Sequence, residues 1–313
     1  MLRASKLLRA TRTPISFIEV GPRDGLQNEK VVLTVDDKAK MIRKLVDAGV
    51  KHIEAGSLVN YKRVPQMMDS DKVVESLADL PTDVTLSLLV PHHSFVKRLP
   101  SNTKEIVLFL SASDTFNQKN INTDLQGAFE RYTDVMKSLE EQGRRQDVKV
   151  RGSISCCWGC PYEGDVAADR IKKIMDMYMD LGVNSIDICD TIGVATPKTT
   201  QDLLNELGHS FLPLSLHMHD TNGEAVDNIM VAANYGIKSF QGSVGGIGGC
   251  PFSPKRAGNV DSTKVIERLH SEGFDTGIDL EKLKEVREWT QRTLNMYTGL
   301  YLNVVAAMED ATH

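Results

Sequence analysis

The sequence predicts an α/β fold, a closed (β/α)8 TIM barrel with a C-terminal helical extension. Short apolar segments alternate with longer amphipathic ones along most of the chain, and repeated strand–helix units favour a parallel sheet with right-handed crossovers. Several helix-like segments end in a glycine that fits a left-handed cap before the next strand, as at Gly49, Gly182 and Gly236. Eight such units in about 240 residues match the size of one barrel.

Eight apolar segments are the predicted barrel strands. They are Ser16–Val20, His52–Ala55, Val84–Val90, Glu105–Leu110, Val148–Ser155, Ser185–Asp190, Leu214–His219 and Ser239–Ser243. The alternative is an open doubly wound sheet. The chain lacks the Gly-x-Gly-x-x-Gly fingerprint of dinucleotide binding after its first strand, which disfavours that alternative.

Helical patterns fill the intervals between these strands. The predicted helices include Thr34–Ala48, Asp69–Ala78, Asp124–Glu141, Ala167–Leu181, Pro197–Leu207 and Glu224–Asn234. A last amphipathic helix is predicted over Leu280–Asn295, followed by a less regular tail. Because no linker or low-complexity run interrupts the pattern, we expect residues 15–313 to form a single catalytic domain with C-terminal helices.

Charge and composition exclude several classes of function. The 313 residues carry 37 Lys+Arg against 42 Asp+Glu, a formal net charge of −5, so no overall basic field attracts nucleic acid. The longest apolar runs fall short of the roughly 18 residues that a membrane span requires. Five cysteines, an odd number in a long chain, argue against a secreted disulfide framework.

The first residues are basic and lack acidic side chains. Arg3, Lys6, Arg9 and Arg12 lie in this part of the chain, where the first carboxylate is Glu19. Such a start is typical of a mitochondrial transit peptide, and a basic terminus without a targeting role is an equal alternative. Residues 1–14 are therefore a candidate targeting or disordered segment, and the predicted location is the mitochondrial matrix or, alternatively, the cytoplasm.

Polar side chains fall where the predicted strands end, which is the end of a barrel that carries chemistry. Arg23 and Asp24 follow the first strand, and Asp187 and Asp190 lie near the end of the sixth. A surface ion pair is the alternative for Arg23 and Asp24, and helix capping is the alternative for Asp190. Glu54 lies in the apolar second strand, so its charge must be paired or functional.

The segment His217-Met218-His219-Asp220 is the strongest local signal. Alternate residues of a strand share a face, so both imidazoles point the same way. If they point inward at the barrel mouth, they suit a divalent metal, with Asp24 as an oxygen ligand and the amide of Asn259 completing the set. A structural role for the two histidines is the alternative.

The last strand is followed by a glycine-rich loop, Gly242–Pro251, which matches neither the Walker motif nor the dinucleotide fingerprint. Glycines let such a loop move or approach an anion. Cys250 in this loop is a candidate reactive thiol, and its alternative is a small apolar filler.

Seven motifs occur in an order that resembles the 3-hydroxy-3-methylglutaryl-CoA lyase family of the DRE-TIM metallolyase superfamily. They are Gly21–Glu29, Val64–Met67, Lys119–Asn122, Gly159–Gly164, Asp190–Gly193, His217–Asp220 and Gly248–Pro251. The resemblance covers about residues 15–280. The Arg-Asp pair with His-x-His is shared across the superfamily, and the Gly-Gly-Cys-Pro loop is more particular to the lyases.

The resemblance implies a reaction and a metal. The expected activity is that of a carbon–carbon lyase that cleaves 3-hydroxy-3-methylglutaryl-CoA to acetyl-CoA and acetoacetate, a step of ketone body formation and leucine degradation. Asp24, His217, His219 and Asn259 would hold Mg²⁺ or Mn²⁺. The partners it implies are the CoA thioester and a second copy of the chain in a homodimer.

The resemblance also implies roles for further residues. Arg23 would stabilise the enolate, and His217 or Cys250 would protonate it. Glu54 and Asp190 would orient the metal ligands or assist proton removal. Together with Arg23, the side chains of Gln27 and Lys30 would bind the substrate.

Two departures from the family pattern keep alternatives open. Lys255 and Arg256 precede Gly258-Asn259, and Ser262-Thr263 replaces a Thr-Glu pair, so that one carboxylate near the ligands is missing. The alternatives are a lyase for a related 3-hydroxyacyl-CoA, a Claisen-condensing synthase and a low-turnover CoA-ester-binding protein. A synthase is disfavoured because about 35 residues after position 278 leave no room for its extra domain.

Overall fold

Eight parallel strands form a closed barrel in this computed structural model, which describes residues 12–208, 210, 212–249 and 258–310, with only the backbone of 303–310. Each strand pairs with the next, and the last pairs with the first, so the predicted TIM barrel is confirmed. The strands are β1 (Ser16–Glu19), β2 (His52–Ser57), β3 (Thr85–Leu89), β4 (Glu105–Ser111), β5 (Lys149–Ser155), β6 (Ser185–Asp190), β7 (Leu214–Met218) and β8 (Ser239–Gly242).

Helices surround the barrel and follow most of its strands. They are α1 (Val35–Asp47), α2 (Ser70–Glu75), α3 (Asp114–Ile121), α4 (Leu125–Glu141), α5 (Ala168–Asp180), α6 (Pro197–Leu207), α7 (Ala225–Tyr235), α8 (Ser262–Ser271) and α9 (Leu280–Asp310). The helices named from the sequence did not include α3 and α8. The last helix also runs on to Asp310, well past the predicted end at Asn295.

Local sequence signals explain where the helices begin and end. The Thr34 hydroxyl accepts a hydrogen bond from the Asp37 amide at the start of α1, and Thr196 forms a capping box at the start of α6. Gly49, Gly182 and Gly236 have φ angles of 94°, 74° and 116°, which confirms the predicted left-handed caps.

The barrel wall is apolar toward the helices and charged toward its axis. Ile53, Ile106 and Val150 are fully buried against the helical layer. The residues beside them in sequence, such as Glu54 and Arg151, contact each other although their strands are not neighbours, and such a contact passes through the barrel interior. The fold therefore brings ionised groups together along the axis below the site.

Outside the barrel, Thr13–Pro14 pairs in parallel with Phe274–Asp275. The described part of the chain thus includes the last three residues of the predicted segment 1–14, residues 12–14. Across the described residues, none of the helices is long and apolar enough to cross a membrane.

Candidate active site

A cavity of about 490 Å³ opens at the carboxyl ends of the strands. Its lining includes charged and imidazole side chains that the sequence analysis had singled out: Arg23, Asp24, Glu54, His217 and His219. Gln27 also lines the cavity. The barrel therefore gathers most of the predicted site residues around one space.

Asp24 and the two histidines form a cluster that suits a metal ion. Each of the three residues offers a ligand atom, and these atoms all lie within 4.8 Å of one another. Asp24 reaches this position on a wide helical turn, Gly21–Gly25, that closes on the carbonyl of Val20 at the end of β1. The turn needs glycine at its end, because a Cβ at Gly25 would lie 2.6 Å from Ile247 Cγ1.

Asn259 joins the cluster from the chain segment that follows the glycine-rich loop. An isolated antiparallel bridge places Asn259 beside His219. Its Nδ2 donates to Asp24 Oδ2 at 2.9 Å and to the Ile247 carbonyl at 3.2 Å. Its Oδ1 is buried and has no hydrogen-bond partner among the described residues, and the same holds for His219 Nδ1. A buried amide oxygen and a buried ring nitrogen without partners are groups that a bound cation could satisfy.

The electrostatics put Asp24 and His219 in the protonation states that a metal requires. Burial alone would raise the pKa of Asp24, but the charges of Arg23 and then of the two histidines hold it well below its usual range. Burial, followed by the neighbouring His217, lowers the pKa of His219 to about 4. At neutral pH the carboxylate is ionised and the imidazole of His219 is neutral, so both have lone pairs to offer.

Arg23 is fixed between two carboxylates. Its Nη1 donates to Asp24 Oδ1 at 2.6 Å, and its Nε donates to Glu54 Oε1 in a short hydrogen bond. The side chains of Arg23 and Asp24 are 15% and 17% exposed, so the pair is enclosed by the site and the surface alternative is wrong. Glu54 is 1% exposed and ion-paired, as its place in an apolar strand predicted.

Arg151 is a buried residue of this region that sequence reasoning missed. Its guanidinium lies in the barrel interior, 1% exposed, and donates to Glu105 Oε2 at 3.0 Å and to Glu54 Oε2 at 3.1 Å. A third, short hydrogen bond reaches Asp187. The signal was present, because a charge within the apolar segment Val148–Ser155 calls for the same reasoning that singled out Glu54.

Asp190 lies beside the cavity, and its carboxylate is occupied by the backbone. Oδ1 accepts from the amide of Val194 at 3.1 Å, and Oδ2 accepts from that of Ala195 at 2.9 Å. These bonds support the capping alternative, in which Asp190 shapes the turn after β6. The same turn contacts His219 through the backbone of Thr191.

Two further predicted residues lie away from the metal cluster or outside the described chain. Lys30 is exposed and is not among the described residues that line the cavity. Cys250, together with Lys255-Arg256, lies outside the described residues.

Two carboxylates stand behind the glycine-rich loop, where the family comparison had predicted one to be missing. Asp261 Oδ1 accepts from the Gly245 amide at 3.1 Å. Glu19 is fully buried and accepts from the Val244 amide at 2.9 Å and the Ser262 hydroxyl at 2.6 Å. Burial raises the pKa of Glu19 to about 7 despite these hydrogen bonds. The substitution at Ser262-Thr263 therefore leaves acidic groups in this region.

Known proteins share this fold and this sequence. A family model described as HMGL-like matches residues 14–289. The hydroxymethylglutaryl-CoA lyase of Pseudomonas mevalonii is 39% identical over 278 residues, covering 87% of this chain and 90% of that protein. The mitochondrial hydroxymethylglutaryl-CoA lyase of Macaca fascicularis is 35% identical over 288 residues, covering 91% of this chain and 87% of that protein.

A solved structure gives the same result. The HMG-CoA lyase from Acinetobacter baumannii, in complex with coenzyme A and 3-methylmalate, matches with a TM-score of 0.84 at 29% identity, covering 90% of this chain and 92% of that chain. These matches confirm the resemblance found in the sequence, and the chain belongs to the HMGL-like family.

Proposed function

We propose that this chain is a hydroxymethylglutaryl-CoA lyase, a carbon–carbon lyase that cleaves 3-hydroxy-3-methylglutaryl-CoA into acetyl-CoA and acetoacetate. The observation that carries the proposal is the cluster of Asp24, His217 and His219 with Arg23 hydrogen-bonded beside it at the mouth of the barrel. The named lyases that share the family support the substrate.

Asp24, His217, His219 and Asn259 would hold a divalent cation, Mg²⁺ or Mn²⁺. Three features support this set: the grouped ligand atoms, the buried Asn259 Oδ1 and His219 Nδ1 without partners in the described structure, and an ionised Asp24. A bound cation there would supply Lewis-acid polarisation of the substrate hydroxyl.

Arg23 would stabilise the charge that develops during cleavage. Loss of the hydroxyl proton breaks the C2–C3 bond, leaves acetoacetate and places negative charge on the thioester oxygen of the acetyl-CoA enolate. Two hydrogen bonds already fix the guanidinium, and they leave N–H groups of Nη1 and Nη2 for that oxygen. A cation held in place before the reaction spends no energy on reorientation when the charge appears.

Glu54 is suited to orient Arg23. Both of its oxygens accept from guanidinium groups, Oε1 from Arg23 and Oε2 from Arg151. Burial acts to raise the pKa of Glu54, and the two arginines outweigh it and lower that pKa, which keeps the carboxylate ionised. His217 or Cys250 would return a proton to the enolate carbon.

Gln27 and Lys30 would contact the substrate at different depths. Gln27 lines the cavity one helical turn beyond Arg23, where it suits the acyl end. The exposed ammonium of Lys30 suits an anionic part of the CoA moiety.

An acetoacetate assay tests the function. With Mg²⁺ and the thioester, wild-type protein should form acetoacetate, and Arg23→Gln should lose about 10²–10³ of the rate or more. Arg43→Gln is the matched control, because Arg43 pairs with Asp79 at the surface away from the cavity. Absence of product from wild type that binds Mn²⁺ would reject the lyase proposal, and a retained rate in Arg23→Gln would reject the role of Arg23.

A related 3-hydroxyacyl-CoA is the second candidate substrate. Lys255 and Arg256 add positive charge before Asn259, and the solved lyase with coenzyme A also holds 3-methylmalate. A panel of thioesters decides between the two, since preference for the hydroxymethylglutaryl compound removes the alternative.

We also propose a homodimer and a location in the mitochondrial matrix or, alternatively, the cytoplasm. The homodimer is supported by exposed apolar side chains on α9, including Leu300 and Leu302. Light scattering of the purified protein tests the homodimer, which should have twice the mass of the 34.7 kDa chain. The basic first residues and the mitochondrial relative support the matrix, which fluorescence imaging of the tagged full chain tests.

A further inference from the structure

We propose that Gln241 is a positioning residue for His217, holding its imidazole in the one neutral tautomer whose Nε2 can bind a divalent cation. The inference deepens the proposed metal site and rests on it. Gln241 on β8 is the register partner of His217 on β7, so their side chains leave the sheet side by side on the same face. Both are buried, and both line the cavity.

The contact between the two side chains determines where the imidazole carries its proton. Gln241 Oε1 lies 3.0 Å from His217 Nδ1. A neutral imidazole has a single N–H, and an amide oxygen only accepts hydrogen bonds. Nδ1 must therefore hold the proton, which leaves the lone pair on Nε2. That atom faces the metal cluster, 3.8 Å from Asp24 Oδ2.

The orientation of the Gln241 amide determines which nitrogen of His217 is protonated. An amide turned end for end would present its NH₂ group to Nδ1 and would move the imidazole proton to Nε2, where it blocks a metal. The buried surroundings of Gln241 favour the observed direction. Its Nε2 lies 3.5 Å from the Ser215 hydroxyl, on the same side as Asp187, which is the register partner of Ser215.

Asp187 supplies the electrostatic reason. Burial raises the pKa of Asp187 above its usual range, and Arg151 and then the side chain of Gln241 act against that rise. A carboxylate on this side attracts the NH₂ end of the amide. Asp187 Oδ1 is buried and has no direct hydrogen-bond partner in the described part of the chain, so an NH₂ group is a favourable neighbour for it. An acceptor turned toward this oxygen would instead be repelled.

Asp187 is in turn held by the interior charges. Its Oδ2 accepts from Arg151 Nη1, and the same guanidinium holds Glu54, which orients Arg23. One buried network therefore reaches the proposed metal ligand His217 through Asp187 and Gln241, and it reaches Arg23 through Glu54. Partners of this kind change metal affinity by about 10–100-fold when they are removed.

Metal affinity gives the first test. Calorimetry with Mn²⁺ should show binding to wild type, and Gln241→Leu should weaken that binding about 10–100-fold while the folded far-UV spectrum is kept. The matched control is Gln126→Leu, an exposed glutamine on α4 that bonds only Glu130 among the described residues, and it should bind like wild type. Unchanged affinity in a folded Gln241→Leu protein would overturn the role of Gln241. Failure of wild type itself to bind Mn²⁺ would reject the proposed metal site.

The tautomer gives a second test that needs no substitution at Gln241. Two-bond ¹H–¹⁵N correlations of the metal-free wild type report which ring nitrogen of each histidine is protonated, and the signals of His217 are those missing from His217→Gln. The contact with Gln241 Oε1 predicts the Nδ1–H form for His217. The Nε2–H form would overturn the proposal, whether or not the chain binds Mn²⁺.

Discussion

Buried polar groups are paired differently in two neighbouring regions of the barrel, its interior and its mouth. Inside, Arg151 donates to three carboxylates, those of Glu54, Glu105 and Asp187. At the mouth, Asn259 Oδ1 and His219 Nδ1 are buried without partners among the described residues. Asp187 Oδ1 in the interior also has no direct partner among those residues, but its carboxylate is paired with Arg151 through Oδ2. The two atoms at the mouth belong to residues that surround the Asp24 carboxylate, where a bound cation could supply the partner of both.

This difference in pairing distinguishes residues that stabilise the fold from residues that bind a ligand. Interior charges that compensate each other define one geometry, and removing any of them leaves the others buried and unpaired. Uncompensated groups at the mouth add little to the stability of the metal-free protein. We therefore expect substitutions in the interior to act on folding and substitutions at the mouth to act on binding.

Arg151→Met is the largest expected effect. The substitution keeps much of the side-chain volume and removes the cation that three buried carboxylates share, although Glu54 keeps Arg23 and Glu105 keeps His52. Because the buried carboxylate of Asp187 loses Arg151, the free energy of unfolding should fall by about 3–5 kcal/mol. Urea unfolding of the metal-free protein measures it. Arg43→Met, which breaks a surface pair with Asp79, should change stability by less than about 1 kcal/mol. Equal effects of the two variants would mean that the interior network is no scaffold.

His219→Leu should show the opposite pattern at the mouth. The change removes the unpartnered Nδ1 together with the contact of the imidazole to the Thr191 backbone, and leucine fills much of the same volume. The stability of the metal-free protein should therefore change by no more than about 1 kcal/mol. Mn²⁺ at 100 times its dissociation constant should stabilise wild type by about 2.7 kcal/mol, and this gain should vanish in the variant. Thermal unfolding with and without Mn²⁺ measures both, with His270→Leu on α8 as the control that keeps the gain.

Much of this architecture is readable from the sequence because it depends on local patterns. The eight strands follow from apolar segments, and the pairing of Glu54 follows from the cost of a lone buried charge. The two histidines share a face because strands alternate. The same argument applies to Arg151, which was not predicted because it lies within its strand and not at the strand end, where the chemistry of a barrel is expected.

Other features depend on contacts that a local pattern does not contain. The link from Gln241 to His217 depends on the register between β7 and β8, and a shift of one residue would put Gln241 on the other face. The end of α9 was missed because Met296, Leu300 and Tyr301 are exposed, so they do not form a stripe packed on the barrel. The helix α3 was missed because it is short and mostly polar.

Glu19 is a third case: its buried carboxylate accepts hydrogen bonds and forms no ion pair with any of the described residues. Its pKa is raised to about 7 by burial, with Asp261 adding to the rise against the bonds from Ser262, Val244 and Gly21. The folded state therefore binds the proton more tightly than the unfolded state, whose pKa is near 4.5. This contribution to stability is complete below the unfolded value and is lost as pH rises through about 7.

Between pH 5 and pH 8 the contribution of Glu19 to the free energy of unfolding should fall by about 2 kcal/mol. Glu19→Gln should abolish this pH dependence, because glutamine does not titrate. The measurement is the difference in unfolding free energy between wild type and variant at the two pH values. The stability of the variant relative to wild type should increase as pH rises. A difference that stays constant with pH would show that Glu19 does not change its protonation on folding.

Asp190 is the smallest and most discriminating case, because it lies at the mouth and yet is satisfied like an interior group. Its carboxylate accepts from the amides of Val194 and Ala195, so Asp190→Ala should lower the unfolding free energy by about 1 kcal/mol, as loss of a cap does. Asp190→Asn keeps an acceptor oxygen and should restore part of that stability.

The lyase rate distinguishes the two roles of Asp190. If the carboxylate only shapes the turn that contacts His219, Asp190→Asn should keep a rate well above that of Arg23→Gln, with a raised KM for the metal. If it accepts the substrate proton, the amide should abolish kcat as fully as the loss of Arg23 does, although stability is preserved. A stable but inactive Asp190→Asn protein would therefore show that Asp190 takes part in the reaction and does more than shape the turn.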